Sequence, residues 1–198
     1  MRRFEICDPG RGFYAAGDEN GPFGGSPLGA ELDPLGPEAV LEGELIGRRR
    51  VRLCRALVED GGGSFACLGL LVDTDEAEAG LRRSAGLVLG DGGVLALAAA
   101  RPPGAEEHDA EEVVAVLVEP DGTASRFQRT LLSTEYDAEG RHRRATLELE
   151  GGNADPPMRG AGLAIEGTWL DGPSGRGPFF RWRLEGREGF GRYEIAGR

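Results

Sequence analysis

Short apolar runs separated by glycine-rich turns recur along most of this chain. From Val40 onward they return at roughly the 8–12-residue spacing that is typical of a sandwich or barrel. Residues 94–100 and 113–118 are apolar at almost every position, which predicts strands that are covered on both faces. Residues 144–150 alternate apolar and polar instead, which predicts a strand with one wet face. The pattern therefore predicts an all-β, antiparallel fold, either a barrel or a strongly bent sandwich.

Two hairpins are indicated early in this series of strands. In the first, residues 50–58 and 64–72 flank Asp60-Gly61. If these two residues form a tight turn, Ala56 faces Phe65 and Cys54 faces Cys67. In the second, residues 86–89 and 94–98 flank four turn residues that are mostly glycine.

The middle of the chain predicts a meander and one short helix. The meander comprises strands at 112–118, 123–132 and 143–150, with turns at 119–122 and 137–140. Residues 73–83 combine capping residues at their start with arginines at their end, which favours a helix.

The first 38 residues have a different composition from the rest. They are rich in glycine and proline, residues that are poorly suited to a sheet interior. We expect a Pro/Gly-rich N-terminal arm over residues 1–38, with one short strand near 12–16, followed by a β-barrel-like domain over 39–198. The arm either covers a sheet edge or pocket mouth, or is a partly disordered tail.

The C-terminal segment carries both tryptophans and predicts a closing hairpin. A two-residue turn at Gly186-Arg187 would place Phe180 opposite Tyr193 and Trp182 opposite Gly191. The preceding strand, 162–169, is expected to place Leu163, Ile165 and Trp169 on one apolar face and Glu166 on the other face. The residues predicted to line an apolar ligand site are Trp169, Phe180, Trp182 and Tyr193. The same four side chains could equally form core, since the inner face of a small barrel serves both purposes.

A family resemblance rests on two Gly-x-Gly motifs in this segment. Gly160-Ala-Gly162 is followed by Glu166, and Gly189-Phe-Gly191 is followed by Tyr193-Glu194. Over the last third of the chain this resembles lipocalin-like proteins of the carotenoid 1,2-hydratase (hydroxyneurosporene synthase) group and related actinobacterial domains of unknown function. The resemblance implies a lipocalin-like barrel and an apolar ligand. It supplies no catalytic residue.

Charge and composition narrow the classes of partner. The net charge of −11 argues against nucleic acid and against anionic membranes, since both need a basic surface. All 23 basic residues are arginine, which removes Schiff-base chemistry by lysine. Three cysteines without a C-x-x-C spacing support neither a disulfide framework nor a zinc site. The first residues lack the apolar region of a signal peptide and no stretch is long enough to span a membrane, so a cytoplasmic location is expected.

Few side chains suggest chemistry. His108 and Asp109 lie in an acidic segment that is expected to be a solvated loop. The alternatives are that they serve as a general acid or as metal ligands. Glu166 and Glu194, which follow the two Gly-x-Gly motifs, are the other two catalytic candidates. Glu194 is expected on the polar outer face, paired with arginines; if the faces are reversed, the two carboxylates instead line a polar pocket. His142 stands among arginines, which would lower its pKa, and is expected to be exposed. No cofactor or metal is indicated.

Three functions from different classes are compatible with these observations. The leading one is the binding of a hydrophobic small molecule, lipid or isoprenoid-like, in the barrel interior. The second is a cofactor-independent hydratase or isomerase that acts on an isoprenoid-like substrate. The third is a structural β-domain that joins partners or forms a homo-oligomer through its strands or its arm.

Overall fold

The computed structural model describes residues 1–23, 29–59, 63–75, 80–105, 111–152, 154–173 and 175–197. Its regular elements are β-strands, and every strand pair is antiparallel. The strands of the N-terminal part are β1 (Arg2–Asp8), β2 (Phe13–Asp18), β3 (Gly21–Pro22), β4 (Gly29–Gly43), β5 (Gly47–Glu59) and β6 (Ser64–Asp75). The remaining strands are β7 (Leu81–Leu89), β8 (Val94–Arg101), β9 (Glu112–Val118), β10 (Ala124–Arg126), β11 (Arg129–Tyr136), β12 (His142–Gly151), β13 (Ala154–Ala164), β14 (Leu170–Gly172), β15 (Gly175–Gly177), β16 (Phe179–Leu184) and β17 (Arg187–Ala196).

These strands form two sheets that pack against each other. The N-terminal sheet has the order β3-β2-β1-β6-β5-β4. The C-terminal sheet has the order β10-β9-β8-β7-β17-β16-β13-β12-β11, and the small β14–β15 hairpin attaches to β17. The second sheet curls into a half-barrel. The expectation of an all-β, antiparallel, lipocalin-like barrel or bent sandwich is confirmed.

Strands β8 and β9 lie at the centre of the molecule, and both of their faces are buried. Odd-numbered residues such as Leu95 and Leu97 point into the half-barrel. Even-numbered residues such as Val94 and Ala96 pack against Val51, Leu70 and Val72 of the N-terminal sheet. All residues from 94 to 100 are buried, as their apolar sequence predicts.

The N-terminal segment contributes more strands than expected. Residues 1–38 supply β1, β2, β3 and the first part of β4, all within the N-terminal sheet, instead of one short strand. Strand β4 runs across residue 38, and its pairing with β5 is irregular between Pro34 and Glu38. Division of the chain at that residue stays a prediction.

The helix predicted over 73–83 is wrong at both of its ends. Residues 73–75 continue β6 and residues 81–83 begin β7, while 76–79 lie outside the described residues. Strands form here because Thr74 and Arg83 are buried in the assembled sheets, and this tertiary burial overrides the local preference for a helix.

The predicted registers of the β5–β6 hairpin and of the closing β16–β17 hairpin are both wrong by two residues. In the β5–β6 hairpin, Cys54 faces Gly69 and Ala56 faces Cys67, because four residues, 60–63, connect the two strands. The predicted Asp60-Gly61 turn itself lies outside the described residues. All three cysteines are free. The hairpin of β7 and β8, with its turn after Leu89, is confirmed.

In the closing hairpin the turn is Glu185-Gly186, so Phe180 faces Gly191 and Trp182 faces Gly189. Glu185 has φ 45° and Gly186 has φ 83°, which is the pair of positive values that a type I′ turn requires. Arg181 therefore lies opposite Phe190, and its guanidinium lies over the Phe190 ring.

The first Gly-x-Gly motif is a packing device. Strand β13 ends at Ala164 and directs Gly160 and Gly162 inward, whereas Leu163 is 60% exposed; the expected apolar face of 162–169 is therefore wrong. A Cβ at Gly162 would lie 2.6 Å from the ring of Trp182. The motif is needed because the indole lies directly against the backbone of the neighbouring strand.

We predict that Gly162→Ala destabilises the protein by about 1–3 kcal/mol, because overpacking against the indole outweighs the entropy that alanine removes from the unfolded chain. Urea denaturation measures this change. Gly160→Ala is the matched control: its nearest neighbour is a methyl group of Leu184 at 3.1 Å, which can rotate away, so a smaller loss is expected. An unchanged denaturation midpoint for Gly162→Ala would contradict the packing role.

Candidate functional site

The half-barrel is closed at one corner and open along a seam. The short strand β10 pairs with β9, and after Phe127 and Gln128 the same stretch of chain continues as β11, which pairs with β12. At this corner the Gln128 amide donates to the carbonyl of Glu150, and the Phe127 side chain enters the core. Beyond the corner β11 lies near β9 without pairing to it, which leaves the seam.

Arg83 bridges this seam from β7. Its guanidinium is ion-paired with the carboxylate of Glu111, donates to Thr134 Oγ1 at 3.0 Å, and donates to the carbonyl of Leu132 at 3.3 Å. The hydroxyl groups of Thr134 and Tyr193 are 2.6 Å apart. Burial raises the pKa of Tyr193 to about 12, so this phenol stays protonated at neutral pH. The network gives one end of the seam a compact set of polar groups.

An open groove of about 890 Å³ runs along β11 and reaches this network. The walls mix apolar and polar side chains in similar measure. Its main lining residues are Arg83, Glu111, Val113, Leu131, Thr134 and Thr146. Concave surfaces of this size with a few convergent polar groups are the usual form of small-molecule sites.

The structure brings together three of the four predicted ligand-lining aromatics. Phe180 lies 5.4 Å from both Trp182 and Tyr193 between ring centroids, and all three are at most 1% exposed. Trp169 is only half-buried, and its indole nitrogen donates to the carboxylate of Asp171 at 3.3 Å. The three buried rings contact each other in the core, and their role in ligand binding stays a prediction.

His142 is buried, contrary to the expectation of an exposed residue. It is 3% exposed, lies 5.1 Å from the Trp169 ring and 5.0 Å from the Tyr193 ring, and its Nε2 is 2.8 Å from the Tyr193 carbonyl oxygen. Burial lowers its pKa, and the guanidinium groups of Arg192 and Arg176 lower it further. The predicted direction is confirmed, although burial is the main cause. A neutral imidazole that donates from Nε2 fits this position.

Glu194 lies on the outer face of the half-barrel, where the N-terminal sheet covers it. Its carboxylate accepts from Arg3 at 2.7 and 2.9 Å, from Arg192 at 3.0 Å, and from Ser84 at 3.0 Å, and Arg49 lies at 3.5 Å. The expected pairing with arginines is confirmed. Burial alone would raise the pKa of Glu194, but the three guanidinium groups outweigh it and lower the pKa to about 2.

Glu5 is the second carboxyl group in this inter-sheet charge cluster, which we define as Arg3, Glu5, Arg49, Arg192 and Glu194. It is 4% exposed, and within the described part of the chain its Oε2 has no hydrogen-bond partner. Burial raises its pKa, and the charge of Glu194 raises it further. The pKa values of Glu5 and Glu194 are therefore shifted in opposite directions, although the two carboxyl groups belong to the same cluster.

The other predicted site residues do not join these clusters. Glu166 is exposed in the turn after β13. His108 and Asp109 lie outside the described residues, three and two positions before Glu111 in the sequence. Sequence reasoning missed Arg83 and Glu111, since 28 residues separate them and only the sheet topology brings them together.

The described residues contain no group of three side chains suited to hold a metal ion. Nor does any helix among them have the length and apolarity to cross a membrane.

Comparison with known proteins shows that the fold is similar to that of solved structures. No family model matches the chain, and no curated protein sequence matches it. A solved structure from Nitrosomonas europaea, assigned as AttH, matches with a TM-score of 0.57 at 15% identity, over 85% of this chain and 61% of its own. Kievitone hydratase from Nectria haematococca matches with a TM-score of 0.51 at 12% identity, over 76% of this chain and 53% of its own.

The fold is lipocalin-like. At these identities the likeness concerns the fold alone, and the chain spans only about 61% and 53% of the lengths of the two proteins it matches. The lipocalin-like fold implied by the two Gly-x-Gly motifs is therefore supported, and the narrower carotenoid hydratase resemblance stays a prediction.

We predict that Glu194→Gln destabilises the protein by about 3–5 kcal/mol at neutral pH, because it leaves buried guanidinium groups without their counter-charge. Urea denaturation measures the loss. Glu5→Gln is the matched control, since Glu5 Oε2 has no hydrogen-bond partner among the described residues and burial raises the pKa of Glu5, which reduces the cost of a neutral side chain; a much smaller loss is expected. Equal losses in the two variants would contradict the assignment of Glu194 as the central anion.

The same cluster predicts how stability depends on pH. Because the pKa of Glu194 is lowered in the folded state, its contribution is complete above the ordinary value of 4.5 and is lost as the pH falls toward about 2. The wild type should therefore lose stability more steeply between those values than Glu194→Gln. Parallel pH profiles of the unfolding free energy would contradict this.

Proposed function

We propose that this protein binds a small amphipathic molecule in the seam groove, with its apolar part along β11 and its polar group at the Arg83–Glu111–Thr134 network. The observation that carries the proposal is the groove of about 890 Å³ beside that network. The guanidinium of Arg83 suits a hydroxyl, carbonyl or carboxylate group on the ligand. Leu131 and Val113 offer apolar contacts, and Leu131 is 46% exposed.

This proposal moves the ligand from the barrel interior to its seam. Trp182 and Phe180 are fully buried against their neighbours, so a ligand among them would have to displace core side chains. A lipid or isoprenoid-like molecule remains the proposed ligand class. It fits the lipocalin-like fold and the mixed apolar and polar walls of the groove.

Binding is tested with native mass spectrometry of the gently purified protein, followed by titration with a fatty acid and an isoprenoid alcohol. Leu131→Glu should weaken the binding of either probe about tenfold or more, because it replaces apolar contact area with charge. Leu163→Glu is the matched control, since Leu163 is 60% exposed on a strand but does not line the groove. Retention of full affinity by Leu131→Glu, or failure of both probes to bind the wild type, would contradict the proposal.

A hydratase activity is the second candidate, favoured by a carboxyl group at the polar end of the groove. Glu111 lines the groove and follows His108 and Asp109 closely in sequence. Hydration of an alkene needs an acid that protonates one carbon and a base that takes a proton from the water adding to the other carbon. Glu111, His108 and Asp109 are the residues we propose for these roles.

Turnover of an isoprenoid alkene that binds in the groove tests this candidate. Glu111→Gln should lower kcat about 100-fold or more if the carboxyl group transfers a proton, and His108→Ala should do so if the imidazole does. Binding of the same alkene, measured in parallel, separates loss of chemistry from loss of affinity. A protein that binds the alkene and adds no water is a binding protein alone.

A further inference from the structure

Between the two sheets, beside the inter-sheet charge cluster, lies a small cavity of about 30 Å³. Its walls include Arg49 and Thr74 from the N-terminal sheet, Glu194 from the half-barrel, and the apolar Ala98–Ala100 segment of β8. About 10–15 Å³ is enough to hold one water-sized group, so the cavity accommodates two or three such groups.

Two side chains in this wall present hydrogen-bond donors without a partner. Arg49 and Thr74 face each other across β5 and β6, and they are 5% and 7% exposed. Among the described residues, Nε and Nη2 of Arg49 and Oγ1 of Thr74 make no hydrogen bond. Buried donors of this kind carry a substantial free-energy cost unless something satisfies them.

The charges around the cavity require a negative group. The inter-sheet charge cluster contains three guanidinium groups and only two carboxyl groups. Glu194 is already satisfied by Arg3, Arg192 and Ser84, and Arg49 reaches it at only 3.5 Å. Burial lowers the pKa of Arg49 and the neighbouring charge of Arg3 lowers it further, while Glu194 and Glu5 oppose both effects.

We propose that this cavity binds one small monovalent anion, the size of chloride or of a carboxylate group, through Arg49 and Thr74. The anion accepts hydrogen bonds from the guanidinium and from the threonine hydroxyl, and it balances the excess positive charge between the sheets. The cavity and the seam groove share Arg83 in their linings, but Arg49 and Thr74 line the cavity alone, so the anion proposed here does not depend on the ligand proposed for the groove.

The direct test is ³⁵Cl NMR of the full chain, in which bound chloride broadens the resonance of free chloride. Wild-type protein should produce an excess linewidth that saturates with chloride at constant ionic strength, set with gluconate, an anion too large for the cavity. Thr74→Val should raise the half-saturating chloride concentration about tenfold, because one hydrogen bond to a charged group is lost. Thr130→Val is the matched control, since Thr130 is also buried with an unpartnered Oγ1 but lies in the seam groove, away from this cavity; it should change that concentration less than about twofold.

Arg49→Gln provides an independent second variant, checked for folding by circular dichroism, and should abolish the excess linewidth. Competition by acetate would identify a site open to carboxylate groups, and competition by bromide alone would identify a halide site; both support the proposal. No excess linewidth in the wild type would overturn it. A half-saturating concentration that is the same in Thr74→Val and wild type would overturn it as well, since chloride would then lie elsewhere.

Discussion

The packing of the two sheets depends on one buried carboxylate, that of Glu194. It lies on the outer face of the half-barrel, and two of its three arginine partners, Arg3 and Arg49, come from the N-terminal sheet. Buried ion pairs add little net stability compared with apolar packing, but they tolerate little displacement. We therefore interpret this cluster as the feature that fixes how the sheets are placed. The apolar contacts of β8 and β9, which are less specific, supply the stabilisation.

The half-barrel itself depends on aromatic rings that lie against strand backbone. Trp182 occupies the space that a side chain at Gly162 would need, so the Gly-x-Gly motif and the indole form one packing unit. This gives the motif a structural reason that is independent of any ligand. It also places the predicted aromatics inside the core and leaves the seam beside Arg83 as the larger concave surface described above.

Strand existence could be read from the sequence, whereas register and contacts across the sheet could not. The two-sided apolar pattern of residues 94–100 identified the central strand because burial of both faces leaves no polar position. The register of the closing hairpin was missed because Glu185 adopts a positive φ, which a non-glycine residue rarely does. Arg83 and Glu111 carried no local signal, since Arg83 lies on β7 and Glu111 just before β9, and the sheet places these two strands on either side of β8. Glu194 was expected to pair with arginines, but which arginines depended on the docking of a second sheet.

The bent stretch from β10 to β11 has a further consequence for how the protein behaves in concentrated solution. Beyond Phe127 the outer edge of β11 makes no strand pair within the described residues, and a free edge of this kind is a template for strand addition by another chain. Arg83 occupies one carbonyl of that edge, at Leu132, and its charge lies where an incoming strand would have to pack. We therefore expect Arg83 to hinder strand addition at this edge, in addition to its proposed role at the polar end of the groove.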